Sequence, residues 1–206
     1  WIYYTSENSG YLKVNYMKYA IFIWIFSLFV TKSYAQNICE LNKSKSNLIF
    51  KVDADDIICL AKKSNKEKIL VYTFGTWCAP CLKHLPNAIG LAKNYDLDFY
   101  VLLIDKENSQ REFDAIEYLN QIQEKNNLEI NRVILKDSNG RPNKKYKLFL
   151  DKITPNQFEN INDMSKYILI DNLGNVLMVT NWKDNRENNW EDDSKMIEKK
   201  IIPLLE

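Results

Sequence analysis

The run Lys68-Ile69-Leu70-Val71-Tyr72-Thr73-Phe74 has the β-branched and aromatic content of a buried strand, and after Gly75-Thr76 it meets Trp77-Cys78-Ala79-Pro80-Cys81 at the head of a helix-like segment. A strand that feeds at once into a helix belongs to a layered α/β arrangement, so this junction restricts the fold more than any other feature of the chain. It also makes the cysteine pair readable as chemistry. A Cys-x-x-Cys that opens a helix sets its first sulfur beside unpaired backbone N–H groups and the positive end of the helix dipole, both of which favour thiolate over thiol. Cys78 is therefore the candidate nucleophile. Cys81, one turn further on, can close a short disulfide with it, and the pair can then pass two electrons with no metal or organic cofactor.

Other uses of such a pair make demands that the chain meets poorly. A zinc site wants two further ligands, and the remaining candidates are Cys39, Cys59 and His84, none of them in a second Cys-x-x-Cys. Covalent haem attachment needs His directly after the second cysteine, where Leu82 stands. A purely structural disulfide across so short a loop restricts few unfolded conformations. The expectation is a redox pair with no cofactor and no metal.

The rest of the chain continues the alternation. Leu48 to Val52 reads as a strand, and Asp53 or Asp55 can cap a helix carrying Ala54, Ile57, Ile58 and Ala61 on one face, which leaves Cys59 off that face. A helix over 78–94 with a kink near Pro86 follows the central strand, then a strand from Asp98 to Ile104, a helix with Phe113, Ile116, Leu119 and Ile122 on its apolar side, and a strand from Asn131 to Leu135. Between Asp137 and Asn162 the pattern weakens to a helical Lys144 to Lys152, expected to run past one side of the cysteine pair. A last helix is expected to be capped by Asn189 and to bury Ile197, Ile201 and Leu204. This alternation predicts βαβ units and a mainly parallel sheet covered on both faces. Lys+Arg and Asp+Glu number 28 and 27 and are interspersed, so the chain carries no nucleic-acid footprint.

With these residues in view, Val71-Tyr72-Thr73-Phe74-Gly75-Thr76-Trp77-Cys78-Ala79-Pro80-Cys81-Leu82-Lys83-His84-Leu85-Pro86 resembles the active-site segment of thioredoxin-fold proteins, in particular the exported TlpA/ResA-like group. Lys166 to Val176, with its Leu-Ile-Asp strand end and Gly-containing turn, resembles that family's closing hairpin. The resemblance implies a thioredoxin fold with a central mixed sheet flanked by helices on both faces, and an exported enzyme that reduces disulfides of partner proteins, fed by an upstream electron donor. It implies a partner-binding rim of Trp77, Pro80, Met164 and Ser165, with His84 and Pro86 in support. Three positions depart from the family pattern. Ser165 stands where a cis-proline is usual, is expected to be trans, and would turn its Oγ toward Cys78. His84 stands where a glutamate is frequent, and two readings are open: a proton-exchanging imidazole or a solvated helix residue. Tyr72 replaces a buried acid.

Residues 1–16 read as an upstream extension before Met17, and 17–35 as a secretory signal, basic at its start, apolar from Ala20 to Val30 and ending in a small-x-small site at Ala35. Residues 36–47 form an N-terminal segment, and 48–206 one domain. The expected place is the periplasm or cell envelope, with a membrane anchor if the signal is retained. Export leaves Cys39 and Cys59 either joined in a structural disulfide or separate, with Cys59 packed under a loop. Two further functions stay open: a thioredoxin-fold binding module without turnover, and a thiol peroxidase.

Overall fold

The computed structural model describes residues 39–136, 141–187 and 189–206; the extension and signal expected over 1–35 lie outside them. The sheet has seven strands: β1 (Asn42–Lys43), β2 (Phe50–Val52), β3 (Lys68–Phe74), β4 (Asp98–Leu103), β5 (Asn131–Leu135), β6 (Tyr167–Asp171) and β7 (Val176–Val179), in the order β1-β2-β5-β4-β3-β6-β7. The pairings β2·β5, β5·β4 and β4·β3 are parallel, while β1·β2, β3·β6 and β6·β7 are antiparallel. The sheet is thus mixed, with a parallel centre and an antiparallel hairpin at each edge, rather than mainly parallel. One of those hairpins uses Asn42–Lys43, so the sheet begins inside the segment expected to precede the domain.

Alternation along β3 divides the core into two layers. Leu70, Tyr72 and Phe74 face one layer, where they meet α2 (Ala79–Asn94) through Leu85, Ala88 and Ile89, and α3 (Gln110–Asn126) through Ala115, Ile116 and Leu119. Ile69 and Val71 face the other, against α1 (Ala54–Lys63) through Ile57 and Ala61, and α4 (Pro142–Ile153) through Phe149, Leu150 and Ile153. Each such aliphatic side chain contributes about 1.5–3 kcal/mol by leaving water. Helices therefore cover both faces, as the alternating pattern predicts.

Local chemistry fixes the helix starts. Asp53 is the N-cap of α1 and accepts from the backbone of Asp55 and Asp56, while the Asp56 side chain accepts from the Asp53 N–H in a reciprocal box. Off the buried stripe of the same helix, Cys59 forms a disulfide with Cys39, tying the N-terminal end of the described chain to α1. Proline at the first helical position lets α4 begin at Pro142, two residues before the expected start. The chain closes in successive turns Ser194–Met196, Ile197–Ile201 and Ile202–Leu204, burying Ile197 and Ile201. This run starts at Asp193 and not at Asn189, because the Asn189 side chain is taken up in a turn, accepting from the Glu191 N–H. On α3, Phe113 is exposed; the buried stripe is Glu112, Ala115, Ile116 and Leu119. Among the described residues no helix is long and apolar enough to cross a membrane.

Candidate functional site

The site lies where β3 ends and α2 begins. Cys78 is the N-cap of α2 and Pro80 sits in its first turn, where a missing N–H costs no helical bond. Cys78 and Cys81 are joined in a disulfide. The backbone N–H of Cys81 donates to Cys78 Sγ at 3.2 Å, so the first sulfur has a preorganised donor as well as the helix terminus behind it. Cys78 keeps 6% of its surface exposed and Cys81 none. An incoming group therefore meets Cys78 first.

Trp77 is fixed beside this sulfur by two neighbours. Its indole lies against Gly75, where an added Cβ would come 2.8 Å from Nε1, and Nε1–H donates to Asp105 Oδ1 at 2.8 Å. Asp105 is buried at the end of β4, and its other oxygen has no hydrogen-bond partner among the described residues. Burial pushes its carboxyl above the usual range, opposed by the Trp77 bond and the nearby Arg111 charge.

Behind the disulfide runs a buried polar chain. The Tyr72 hydroxyl lies 3.0 Å from the Cys81 carbonyl and 2.8 Å from Ser165 Oγ; Ser165 Oγ lies 2.8 Å from His84 Nδ1; and His84 Nε2–H donates to the Trp190 carbonyl at 2.9 Å. His84 is buried, so the solvated reading of this residue fails. The Asp193 carboxylate lies 3.6 Å from His84 Nδ1. Asp193 also accepts from Asn87 Nδ2 at 2.6 Å and from the Tyr167 hydroxyl at 2.5 Å. Burial, with the Asp193 charge beside it, holds the Tyr167 hydroxyl well above the usual phenol range, and burial does the same for Tyr72.

Ser165 corrects one expectation. Its Oγ engages Tyr72 and His84 instead of turning to Cys78, and its φ of +65° lies in the left-handed region, which costs a non-glycine residue about 1–2 kcal/mol. Proline cannot take this φ, so the position is shaped for a residue other than the proline usual in the resembling family. No peptide bond among the described residues is cis. The backbone here is clamped by Lys166, whose N–H donates to Thr73 Oγ1 and whose buried ammonium donates to the Asp163 carboxylate and to the Thr180 carbonyl. Burial pulls the Lys166 ammonium below its ordinary value, partly offset by Asp163.

A cavity of about 590 Å³ opens over Cys78. The expected Trp77, Pro80, His84, Met164 and Ser165 all line it, whereas Pro86 lies exposed within α2 and does not. The stretch after β7 supplies the far wall through Trp182, Arg186, Trp190 and Asp193, residues to which the sequence alone gives no role at the site. Among the described residues no cluster of His, Cys, Asp and Glu suits a metal ion. Chemically, the arrangement offers one accessible sulfur with a built-in donor, a buried second sulfur to take over from it, and an apolar recess in which a partner sulfur can be held. No family model, curated protein or solved structure matches the chain.

Proposed function

We propose that this protein is an exported thiol–disulfide oxidoreductase of thioredoxin-like fold, resembling the TlpA/ResA group, that reduces disulfides of partner proteins. The observation that carries the reading is the unequal pair: Cys78 Sγ, at a helix N-cap and bonded by the Cys81 N–H, borders the cavity, while Cys81 is sealed behind it. In the reducing direction Cys78 thiolate attacks one sulfur of a partner disulfide, and the other partner sulfur leaves as a thiolate. Cys81 thiolate then attacks Cys78 Sγ in the mixed disulfide, releasing the first partner sulfur and closing Cys78–Cys81. The dithiol's two electrons pass to the partner, and an upstream dithiol donor restores the pair.

A parallel centre with helices on both faces and the cysteine pair at the carboxyl end of a central strand supports the thioredoxin-like reading of the fold. The second disulfide, Cys39–Cys59, supports an oxidising compartment. The test is reduction of insulin with dithiothreitol as donor, run beside peroxide consumption. The reading expects insulin reduction that Cys78→Ser abolishes, mixed disulfides trapped by Cys81→Ser, and no peroxide turnover. Binding without turnover, or peroxide consumption in its place, overturns it.

A further inference from the structure

Every tryptophan among the described residues lines the one cavity over Cys78, and all of them, Trp77, Trp182 and Trp190, are exposed. Indole surface left in water is unfavourable, and apolar surface gathered around a recess marks an interaction site. The backbone that carries the far indoles is also held in place before any partner arrives. The Trp182 backbone N–H donates to Asp163 Oδ2 at 2.6 Å, and the Trp190 backbone carbonyl accepts from His84 Nε2. Asn181 caps the short 3₁₀ turn Trp182–Asn185, whose Asn185 Nδ2 donates to the Asp192 carbonyl at 3.0 Å. A wall fixed in this way loses little conformational entropy on binding.

Charge adds a second requirement. The Arg186 guanidinium stacks over the Trp182 ring at 4.8 Å and makes no ion pair among the described residues, while Asp163 and Asp193 on the same cavity are engaged by Lys166 and by Asn87 and Tyr167. The rim thus presents one unneutralised cation beside aromatic surface, the pairing of Trp and Arg that dominates protein–protein recognition.

We propose that Trp182, Trp190 and Arg186 form a specificity subsite that takes a bulky apolar side chain adjacent to the reacting cysteine of a partner polypeptide, with a carboxylate further along the partner meeting Arg186. This rests on the disulfide-exchange reading above and adds to it which partner segments are chosen. The sulfur of the bound segment reaches Cys78 because its apolar neighbour is seated against the indole wall of the same cavity. Cys78 Sγ then bonds to the segment's sulfur, the group formerly disulfide-linked to it leaves as a thiolate, and Cys81 completes the two-electron transfer.

The test uses the full chain, reduced beforehand with dithiothreitol and freed of it. The probes are heptapeptides whose single cysteine is disulfide-linked to 5-thio-2-nitrobenzoate, so that each attack releases the coloured thiolate. One peptide has Leu or Trp beside the cysteine and Asp three residues on, a second has Gly in place of the apolar residue, and a third has Lys in place of Asp. The apolar, acidic peptide is expected to react about tenfold or more faster than the glycine peptide. That ratio should fall toward unity in Trp182→Ala and Trp190→Ala. Arg186→Glu, at an exposed position, should reverse the preference between Asp and Lys peptides. Equal rates on apolar and glycine peptides, or variants that slow both in proportion, overturn the subsite and leave the exchange reading standing. Reaction with no peptide at all removes the exchange reading, and the subsite with it.

Discussion

The two disulfides join cysteines of one chain by one kind of bond, in surroundings that give them opposite characters. Cys39–Cys59 spans a sequence separation of 20 and ties an edge segment to the outer side of α1; closing such a loop stabilises by about 3 kcal/mol in the chain-entropy account. Cys78–Cys81 spans a separation of 3, so it constrains the unfolded chain less. Its surroundings are the costlier construction: a left-handed Ser165, a buried Lys166 and a carboxylate at Asp105 with one oxygen unpaired among the described residues. What sets the proposed reactive pair apart from the tether is the helix N-terminus, the donor on Cys78 Sγ and the cavity, and not the bond.

The sharpest way to break this contrast is to remove each pair in turn. Cys78→Ser should bring insulin reduction to the uncatalysed background, a loss on the order of a thousandfold, as when a covalent nucleophile is deleted; Cys39→Ser with Cys59→Ser should leave turnover within about twofold of the parent, since that pair lies outside the cavity. Comparable losses in both would erase the distinction. Next in size is Ser165→Pro. Proline cannot hold φ +65° and removes the hydroxyl that joins Tyr72 to His84, so chemical denaturation should show a loss on the order of 3–5 kcal/mol. An unchanged or improved stability would show that this loop is not strained as described.

The tether is then sharpened by heat. Cys39→Ser with Cys59→Ser should lower the unfolding midpoint by about 6–12 °C, and Cys78→Ser with Cys81→Ser by less; the reverse order would exchange the two roles. The smallest effect concerns the cost of the site. Burial raises the Asp105 carboxyl, so the group contributes fully below the unfolded-state value, and its contribution is lost as pH rises through the higher native value. Asp105→Asn should accordingly gain on the parent between about pH 4 and pH 7, by no more than about 3 °C in the midpoint. A gain that shrinks with rising pH contradicts the assignment.

The parts of the molecule that sequence made legible are those written in local pattern. β3 and β5 have the bounds that their apolar runs predict, Asp53 caps α1, and the strand-to-helix junction places Cys78 at an N-cap. The Cys39–Cys59 pairing was one of two open outcomes, because spacing alone does not say whether two segments cross. The polar chain behind the disulfide was not legible at all. Asp193 reads as one of several acids before a basic helix end, and only the turn after β7 carries it to His84, Asn87 and Tyr167. Trp182 and Trp190 carry no periodicity, and their meeting with Trp77 depends on β6 pairing with β3 across more than ninety residues of sequence. Phe113 misled for a related reason: the threefold spacing fitted, but Glu112 is buried in its stead by bonds from Ser46 Oγ and the Asn108 N–H.

The most direct measurement is a redox titration of the intact protein in dithiothreitol buffers of stepped potential, with each sample quenched by alkylation and the four cysteines mapped as peptides. The account predicts that Cys78–Cys81 opens and closes reversibly over a range in which Cys39–Cys59 stays closed, and that brief alkylation of the opened pair labels Cys78 well before Cys81. Opening of Cys39–Cys59 first, or equal labelling of Cys78 and Cys81, would contradict it.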